Sequence, residues 1–237
     1  MTDSIIDNIL ELAASHGLVA RGGFVFDDVG DIPEGKHWKS MMLFGNTGSS
    51  LWGNFCSSTE YLDGEPNPLD RWSLRIGNSM ARELGGKAFF PFGGPPFQPF
   101  LAWAKKSEGL ESSKLGMLIH EEYGLWHAYR FAIALPHELK RHELEGLGAK
   151  KETLTDICGQ CVEQPCLKKC PVDAFGEHEY KVESCYHHIS TPENTCMNNG
   201  CAARRACPIG ADFLYDKSHA QFHMNQFLSS MKLRFIS

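Results

Sequence analysis

The stretch "CGQCVEQPCLKKCPVDAF", residues 158–175, holds four cysteines and follows the last of them with a proline. Its spacing is C-x2-C-x4-C-x3-C-P, which puts three cysteines on one short loop. Four more cysteines form a looser set that also ends in Cys-Pro: Cys185, Cys196, Cys201 and Cys207. Eight of the nine cysteines therefore lie within residues 158–207. In a chain whose N-terminus does not read as a secretion signal, such clustering indicates metal ligation rather than disulfide bonds.

Two halves that each end in Cys-Pro are typical of bacterial two-cluster ferredoxins, in which the fourth cysteine of each run binds the other cluster. Short spacings let one loop supply three corners of a cubane, and Cys-Pro starts the segment that crosses over. The middle gap here is two residues longer than in the usual run. On this pattern we predict two [4Fe–4S] clusters. One would be bound by Cys158, Cys161, Cys166 and Cys207, and the other by Cys170, Cys185, Cys196 and Cys201.

The alternative for the same cysteines is a pair of structural zinc sites with four thiolate ligands each. Zinc ribbons usually carry two C-x2-C knuckles, whereas this chain has one. They also have no need of a Cys-Pro pair at the end of each half. The iron–sulfur prediction is therefore favoured, and a zinc-binding interaction module stays as an alternative. Cys56 stands apart, and we interpret it as a small, half-buried residue.

The composition limits the partners and the location. The chain has 237 residues, 42% of them hydrophobic, and 23 basic against 29 acidic residues give a net charge of −6. An acidic balance argues against nucleic acid or an anionic membrane as the main partner. The opening residues "MTDSIIDNIL" lack the basic start of a signal peptide, and the apolar runs are too short to span a bilayer. We therefore expect a cytoplasmic protein.

Apolar periodicity predicts a mixture of helices and strands ahead of the cysteines. We expect helices at residues 4–16, 68–86 and 100–107, and strands at 17–27, 39–46 and 87–92. A further pair of strand-like stretches, 114–120 and 125–135, is predicted to form a hairpin through "EEYG". The charged segment 136–152 is expected to be a linker or a solvated helix, and residues 213–231 a C-terminal helix.

Residues 107–135, "SEGLESSKLGMLIHEEYGLWHAYRFAIAL", resemble a stretch of the epoxyqueuosine reductases, in which a Gly-Leu pair leads into a strand, a turn and a second strand. Reductive dehalogenases share that architecture, and short bacterial ferredoxin-type proteins carry blocks similar to "PFGGPPFQPF", "HEEYGLWHAYR" and "GCAARRACPIG". The resemblance covers about residues 70–215. It implies an α+β fold: a nitroreductase-like layered α/β domain (1–150), followed by a two-cluster ferredoxin-like module with a C-terminal helix (151–237).

In both of those enzyme families the front domain holds cobalamin, and the clusters reduce it. The resemblance therefore implies a corrinoid bound by the front domain and reduced through the two clusters by an external ferredoxin, flavodoxin or reductase. A corrin ring needs small residues for close approach and polar groups at its rim. The residues of these types that we predict as corrinoid contacts are Gly45, Asn46, Thr47, Gly48, His120, Tyr123, Gly124, Trp126 and His127.

Epoxyqueuosine reductases carry an aspartate general acid just before the Gly-Leu pair, but the corresponding segment here has no acidic residue until Glu108. We therefore do not predict epoxyqueuosine reduction. We expect reductive chemistry with a corrinoid, or processing of a corrinoid by removal of its upper ligand, with the catalytic residues unassigned. A flavin-linked electron-transfer oxidoreductase is the alternative on the same scaffold. For it, Arg21 is the basic residue that the early segment offers to a flavin phosphate.

Overall fold

The computed structural model describes residues 3–27, 33, 37–149, 156–176, 179–192 and 194–236. The chain folds into two compact units, each assembled from two stretches of sequence. The sheet unit comprises Met1–Leu110 and His127–Thr153, and the cysteine unit comprises Glu111–Trp126 and Leu154–Ser237. The division into functional domains after residue 150 stays a prediction. The structure groups residues 111–126, which the sequence analysis placed in the front domain, with the cysteines.

A four-stranded antiparallel sheet forms the centre of the sheet unit. The strands in the described residues are β1 (Val19–Val25), β2 (Ser40–Thr47), β3 (Lys87–Phe89), β4 (Glu111–Ser112), β5 (Leu118–Ile119) and β6 (His127–Leu135). The order in this sheet is β1-β2-β6-β3, and β2 pairs with β6 from Ser40–Leu135 to Thr47–His127. Both central strands are apolar and almost inaccessible to water over 41–44 and 131–134, as expected of strands covered on both faces.

Six of the helices belong to the sheet unit: α1 (Asp3–Ser15), α2 (Trp52–Cys56), α3 (Thr59–Leu62), α4 (Pro68–Glu83), α5 (Phe100–Glu108) and α6 (Arg141–Gly146). The longest of them, α4, begins with proline at its first turn, where no backbone donor is lost. Its buried stripe recurs every three or four residues and packs on β6 and β3: Leu69, Trp72, Ile76 and Met80. This helix confirms the periodicity in the sequence.

The cysteine unit has little regular secondary structure. The strands β4 and β5 pair as a two-stranded ribbon. Its helices are α7 (Pro165–Lys168), α8 (Val182–Ile189), α9 (Thr195–Asn199), α10 (Ala202–Arg205) and α11 (Lys217–Ile236). A small core of Leu115, Ile119, Leu125 and Ala203 packs directly against five of the cysteines. The thiols are therefore part of what fills this interior.

One expectation about connections is wrong, and another is met only in part. The stretches around "EEYG" do not form a hairpin, because β5 pairs with β4 while β6 pairs with β2 and β3. A single bridge between His120 and Gly124 closes the intervening turn. The segment after residue 136 contains the helix α6, whose Arg141 and Glu145 are exposed as in a solvated helix. Leu139, Glu143 and Leu147 are buried, however, and α6 packs on β1 and α1. Residues 150–152 of the predicted segment lie outside the described residues.

The mixed helix-and-sheet class predicted from the sequence is confirmed. Within the described residues, no helix combines the length and the apolar character needed to cross a membrane.

Candidate metal centre

The first predicted set of cysteines lines one cavity of about 350 Å3 in the cysteine unit. All four members face it: Cys158, Cys161, Cys166 and Cys207. The rest of the wall is mainly apolar and includes Ile119, Ile157 and Ile209. A cavity of this size and lining suits a bulky, polarisable group better than a solvated ion.

The second predicted set lines a separate cavity of about 280 Å3 in the same unit. Its four cysteines are Cys170, Cys185, Cys196 and Cys201. Here too the wall is mainly apolar, with side chains from the β4–β5 ribbon region, the 170–175 turn and α11. One thiol, that of Cys196, is almost completely buried, at 5% exposure.

Each cavity is lined by cysteines from both halves of the cysteine-rich sequence. Cys166 and Cys170 are four residues apart, yet they line different cavities. Helix α7 separates them: Cys166 lies on the helix, and Cys170 follows its C-terminal end. Conversely, Cys207 joins the first three cysteines across more than 40 residues of chain. The structure thus brings together each set of four in the combination that the spacing predicted.

Backbone amides are directed at several of these sulfur atoms. The Ala174 N–H donates to Cys170 Sγ at 3.3 Å. Further main-chain N–H groups donate to Cys166, Cys201 and Cys207, from Leu167, from Ala203 and Arg204, and from Ile209. Such N–H···S bonds stabilise negative charge on sulfur, so they favour thiolates that bind a cation over neutral thiols.

The thiols resist ionisation by themselves. Burial raises the pKa values of Cys166, Cys185, Cys201 and Cys207 above the ordinary cysteine value, and the neighbouring thiols of the same set raise them further. Metal ions bind the thiolate form, so occupancy by a metal must supply the energy that deprotonates these groups. Without a bound cation these four thiols are therefore neutral at ordinary pH.

One polar atom at the second cavity offers a direct test of fit. His188 lines this cavity, and its Nε2 is buried without a hydrogen-bond partner among the described residues. A buried polar atom without a partner costs about 1–3 kcal/mol. A sulfide or thiolate of a cluster would accept from this nitrogen and remove that cost. The residues present therefore fit a sulfide-containing cluster.

Within the described ranges, no group of three or more His, Cys, Asp or Glu side chains is arranged to hold a metal ion.

The predicted corrinoid contacts in the sheet unit lie at one end of the β2–β6 pair. Gly45, Asn46 and Thr47 are the last residues of β2, where a turn was expected, and Thr47 pairs with His127. Gly45 has a structural role, because a Cβ there would lie 1.9 Å from the Ala128 carbonyl oxygen. The buried Asn46 side chain donates from Nδ2 to the carbonyl oxygen of Gly48 at 2.8 Å and so holds the turn.

The other predicted contacts form the turn at residues 120–126 of the cysteine unit. The Nδ1 of His120 accepts from the backbone N–H groups of Glu122 and Tyr123, and its ring stacks on Tyr123. Gly124 has φ +55°, and a Cβ there would lie 1.9 Å from the Ile209 carbonyl oxygen. These residues therefore organise the turn, whether or not they also bind a ligand.

Trp126 differs from the rest of that turn. Its side chain is buried, and its indole Nε1 has no hydrogen-bond partner among the described residues. The guanidinium of Arg204 lies 4.4 Å from its ring centre and 4.6 Å from that of Tyr215. Arg204 also donates to the Leu125 carbonyl, and Arg205 donates to that of Asn199. Both arginines beside the last cysteine are thus engaged within the unit.

The sequence analysis missed a buried polar network on the sheet unit. Arg21 on β1 makes a two-pronged ion pair with Glu108 at the end of α5, at 2.9 and 3.0 Å. The Tyr129 hydroxyl also donates to Glu108, and His127 Nδ1 lies 3.2 Å from the Arg21 guanidinium. Burial above all raises the pKa of Tyr129. Arg21 is 87 residues from Glu108 and 106 residues from His127, so no local pattern could reveal these contacts.

No family model matches the chain, and no curated protein matches it. Among solved structures, the chain is similar to a Caenorhabditis elegans B12-trafficking protein, CblC, described as a homologue of human MMACHC. The two share 11% identity over 94% of this chain and 91% of that one, with a TM-score of 0.51. It is also similar to epoxyqueuosine reductase from Bacillus subtilis, at 13% identity over 91% and 68% of the two chains and a TM-score of 0.48.

An epoxyqueuosine reductase solved with a tRNA-Tyr stem loop is a further neighbour, at 14% identity over 93% of this chain and 71% of that one, with a TM-score of 0.46. Epoxyqueuosine reductases, the class that the sequence resembles, are thus among the solved structures that the chain matches. The likeness to the worm protein, whose TM-score exceeds 0.5, supports a shared fold.

Proposed function

We propose that this chain is a cobalamin-binding iron–sulfur protein in which two [4Fe–4S] clusters deliver electrons to a corrinoid. The outcome is reductive chemistry, or processing of the corrinoid by removal of its upper ligand. In this proposal the sheet unit is a nitroreductase-like layer, and the cysteine unit is a two-cluster ferredoxin-like module. The electrons come from an external protein donor of the ferredoxin, flavodoxin or reductase class.

The observation that carries the proposal is the sorting of eight cysteines into two cavities of four. Two zinc ribbons would take their ligands from adjacent knuckles, whereas crossing of the fourth cysteine is the ferredoxin arrangement. Amide donors to sulfur and the unpartnered His188 nitrogen add to the same conclusion. A cluster bound there would store and pass one electron at a time.

The chain's own residues have three tasks in this scheme. Each set of four cysteines would hold one cluster, and the sets include Cys207 and Cys170 respectively. The apolar walls exclude water, and main-chain N–H groups offset the negative charge on sulfur.

Two observations favour a corrinoid over a flavin as the electron acceptor. The worm protein of similar fold is described as a B12-trafficking protein, which supports a corrinoid for this chain as well. Arg21, the basic residue considered for a flavin phosphate, has 1% of its side chain exposed and is bound to Glu108. It is therefore not offered to a phosphate.

Glu108 also bears on epoxyqueuosine reduction. It is the one acidic residue directly before the Gly-Leu pair, but Arg21 and Tyr129 occupy its oxygen atoms. Both oxygen atoms therefore accept hydrogen bonds within the protein and are not offered to a substrate. We therefore do not propose epoxyqueuosine reduction for this chain.

Anaerobic purification followed by iron and sulfide analysis tests the clusters. We expect about eight iron and about eight sulfide atoms per chain, as two [4Fe–4S] clusters require. The variant Cys56→Ser is the matched control, because Cys56 lies in the sheet unit on α2 and outside both sets. Zinc without sulfide would refute the cluster assignment.

A spectroscopic titration tests the acceptor. The protein, reduced by a low-potential donor, is mixed with several cobalamin forms, and the cobalt spectrum is recorded. We expect binding to shift the spectrum and the cobalt to become reduced only when the clusters are present. Absence of any spectral shift would refute the corrinoid role, and purification with one flavin per chain would establish the flavin alternative.

A further inference from the structure

Tyr180 lies between the two ligand segments of the second cavity and lines that cavity. Its phenol ring stacks on Phe175 with the ring centres 4.7 Å apart and the planes 3° from parallel. The backbones of the same two residues form a bridge. Two more main-chain bonds hold this turn, from Lys181 N–H to Ala174 and from Gly176 N–H to Glu179. The position of Tyr180 is therefore fixed by both backbone and ring contacts.

The hydroxyl of Tyr180 donates a hydrogen bond to the sulfur of Cys185. In agreement with this contact, the pKa of Tyr180 is raised, first by burial and then by the interaction with Cys185. Cys201 and Cys170 also act on this hydroxyl, which places it near three of the four thiols of the set. The hydroxyl thus interacts with the sulfur atoms of this set, while 40% of the residue stays accessible to solvent.

A hydrogen bond to a ligand sulfur matters for the redox equilibrium. A reduced cluster carries one more negative charge than an oxidised one, and donors to its sulfurs stabilise that extra charge. Such a donor therefore raises the reduction potential. A phenol held by stacking and by a backbone bridge loses little entropy on donating.

We propose that Tyr180 is a positioning residue that raises the reduction potential of the cluster bound by Cys170, Cys185, Cys196 and Cys201, through its hydrogen bond to Cys185 Sγ. The inference rests on the proposed function, since it requires a cluster in the second cavity. It concerns one cluster of the two and predicts that their potentials respond differently to one hydroxyl group.

The test is the variant Tyr180→Phe, which keeps the ring stacked on Phe175 and removes only the hydroxyl. Both proteins are titrated with a reductant, and the clusters are followed by electron paramagnetic resonance. We expect the reduction equilibrium of one cluster to fall about tenfold, which corresponds to about 59 mV more negative for a one-electron couple. The potential of the other cluster should not change.

The variant Tyr61→Phe is the matched control. Tyr61 also hydrogen-bonds a cysteine, Cys56, but both lie in the sheet unit and outside the two sets. Removal of this hydroxyl should leave both potentials as they are. Iron and sulfide analysis of the unmodified protein tests the presence of the clusters independently of Tyr180. It therefore distinguishes failure of the proposed function from failure of the proposal for Tyr180.

Unchanged potentials in Tyr180→Phe with a full iron content would overturn the proposal. If that variant loses the iron of one cluster, Phe175→Leu decides the question, because it removes the stacking ring and keeps the hydroxyl. A negative shift of one potential in Phe175→Leu supports the proposal. Two unchanged potentials in that variant reject it.

Discussion

Arg21 and Glu108 form an ion pair that is almost entirely removed from water, with side-chain exposures of 1% and 5%. Such a pair contributes little net stability, because the desolvation of both charges offsets their attraction. Removal of one partner has a large effect, since it leaves an uncompensated charge in the interior. This pair connects β1 to the end of α5, and therefore two elements that are distant in the sequence.

We predict that Glu108→Gln lowers the free energy of unfolding of the sheet unit by about 3–5 kcal/mol. Tryptophan fluorescence during denaturant unfolding measures the change. Glu145→Gln is the matched control, because Glu145 pairs with Arg141 on the exposed face of α6, where such a pair contributes about 0.3–0.5 kcal/mol. Equal effects of the two substitutions would contradict the assigned role.

Gly45 illustrates how a neighbouring strand, rather than a ligand, can require a glycine. Its Cα faces the Ala128 carbonyl oxygen so closely that a methyl group cannot fit without a shift of the backbone. Gly45→Ala should therefore destabilise the protein by about 1–3 kcal/mol, as measured by denaturant unfolding.

Gly53 on α2 provides the opposite case, because nothing lies within 4 Å of the Cβ that alanine would add. Gly53→Ala should raise stability by about 0.5–1 kcal/mol through helix propensity.

A neutral result for Gly45→Ala would show that β2 and β6 can separate locally, and would reopen a ligand role for Gly45.

Among the elements, the loop and helix at residues 158–170 make the cysteine arrangement testable. Cys166 and Cys170 are neighbours in sequence but line different cavities, whereas Cys158 and Cys207 are distant and line the same one. We expect the double variant Cys158→Ser/Cys207→Ser to retain about half of the iron. Cys166→Ser/Cys170→Ser should lose nearly all of it.

Iron analysis and the electron paramagnetic resonance signals of the two double variants give the comparison. If each run of four cysteines held its own cluster, the iron contents would be reversed. Cys166→Ser/Cys170→Ser would then retain half of the iron, and Cys158→Ser/Cys207→Ser would lose nearly all of it. The pair of variants therefore distinguishes crossed from uncrossed ligation without knowledge of the reaction.

At the level of the whole molecule, the two units have interiors of different kinds. The sheet unit is built around large apolar side chains on β2, β6 and α4. The cysteine unit has two small clusters of buried residues. One of them, with four small or medium residues, packs on Cys158, Cys166, Cys170, Cys201 and Cys207, and the other contains Trp126 and Tyr215. Its stability should therefore depend on what the cysteines bind.

We predict that removal of the clusters by acid or a chelator leaves the sheet unit folded and loosens the cysteine unit. Hydrogen exchange followed by mass spectrometry checks this. Amides of α8, α9 and α10 should exchange much faster, and those of β2 and β6 should keep their protection. Equal loss of protection in both units would argue against this division of stability.

The two sets of cysteines that share a cavity could be predicted from the sequence, because their local spacing follows the ferredoxin pattern. The grouping of Cys207 with Cys158 follows from the ferredoxin pattern alone. The corrinoid contacts illustrate the opposite case. Gly45, Gly124 and His120 have the residue types of a ligand site, but their contacts with Ala128, Ile209 and the 122–123 amides explain them structurally.

Pairing between strands that are distant in the sequence was harder to predict. The apolar stretches at 114–120 and 125–135 have the alternation of a hairpin, yet the second pairs with β2, some 80 residues earlier. Nor could a single sequence reveal that Arg21 is neutralised by Glu108, since the two are 87 residues apart. Local spacing is therefore a better guide here than apolar periodicity.

The excursion of residues 111–126 into the cysteine unit has a consequence for how such a chain can be cut and recombined. Leu115, Ile119 and Leu125, three of the four core residues around the thiols, come from this excursion. A gene fragment that begins after residue 153 would encode all eight clustered cysteines but would lack three of the four residues that form the buried core beside them. The cysteine half therefore cannot be moved to another protein as residues 154–237 alone, because its interior depends on a segment from the middle of the polypeptide.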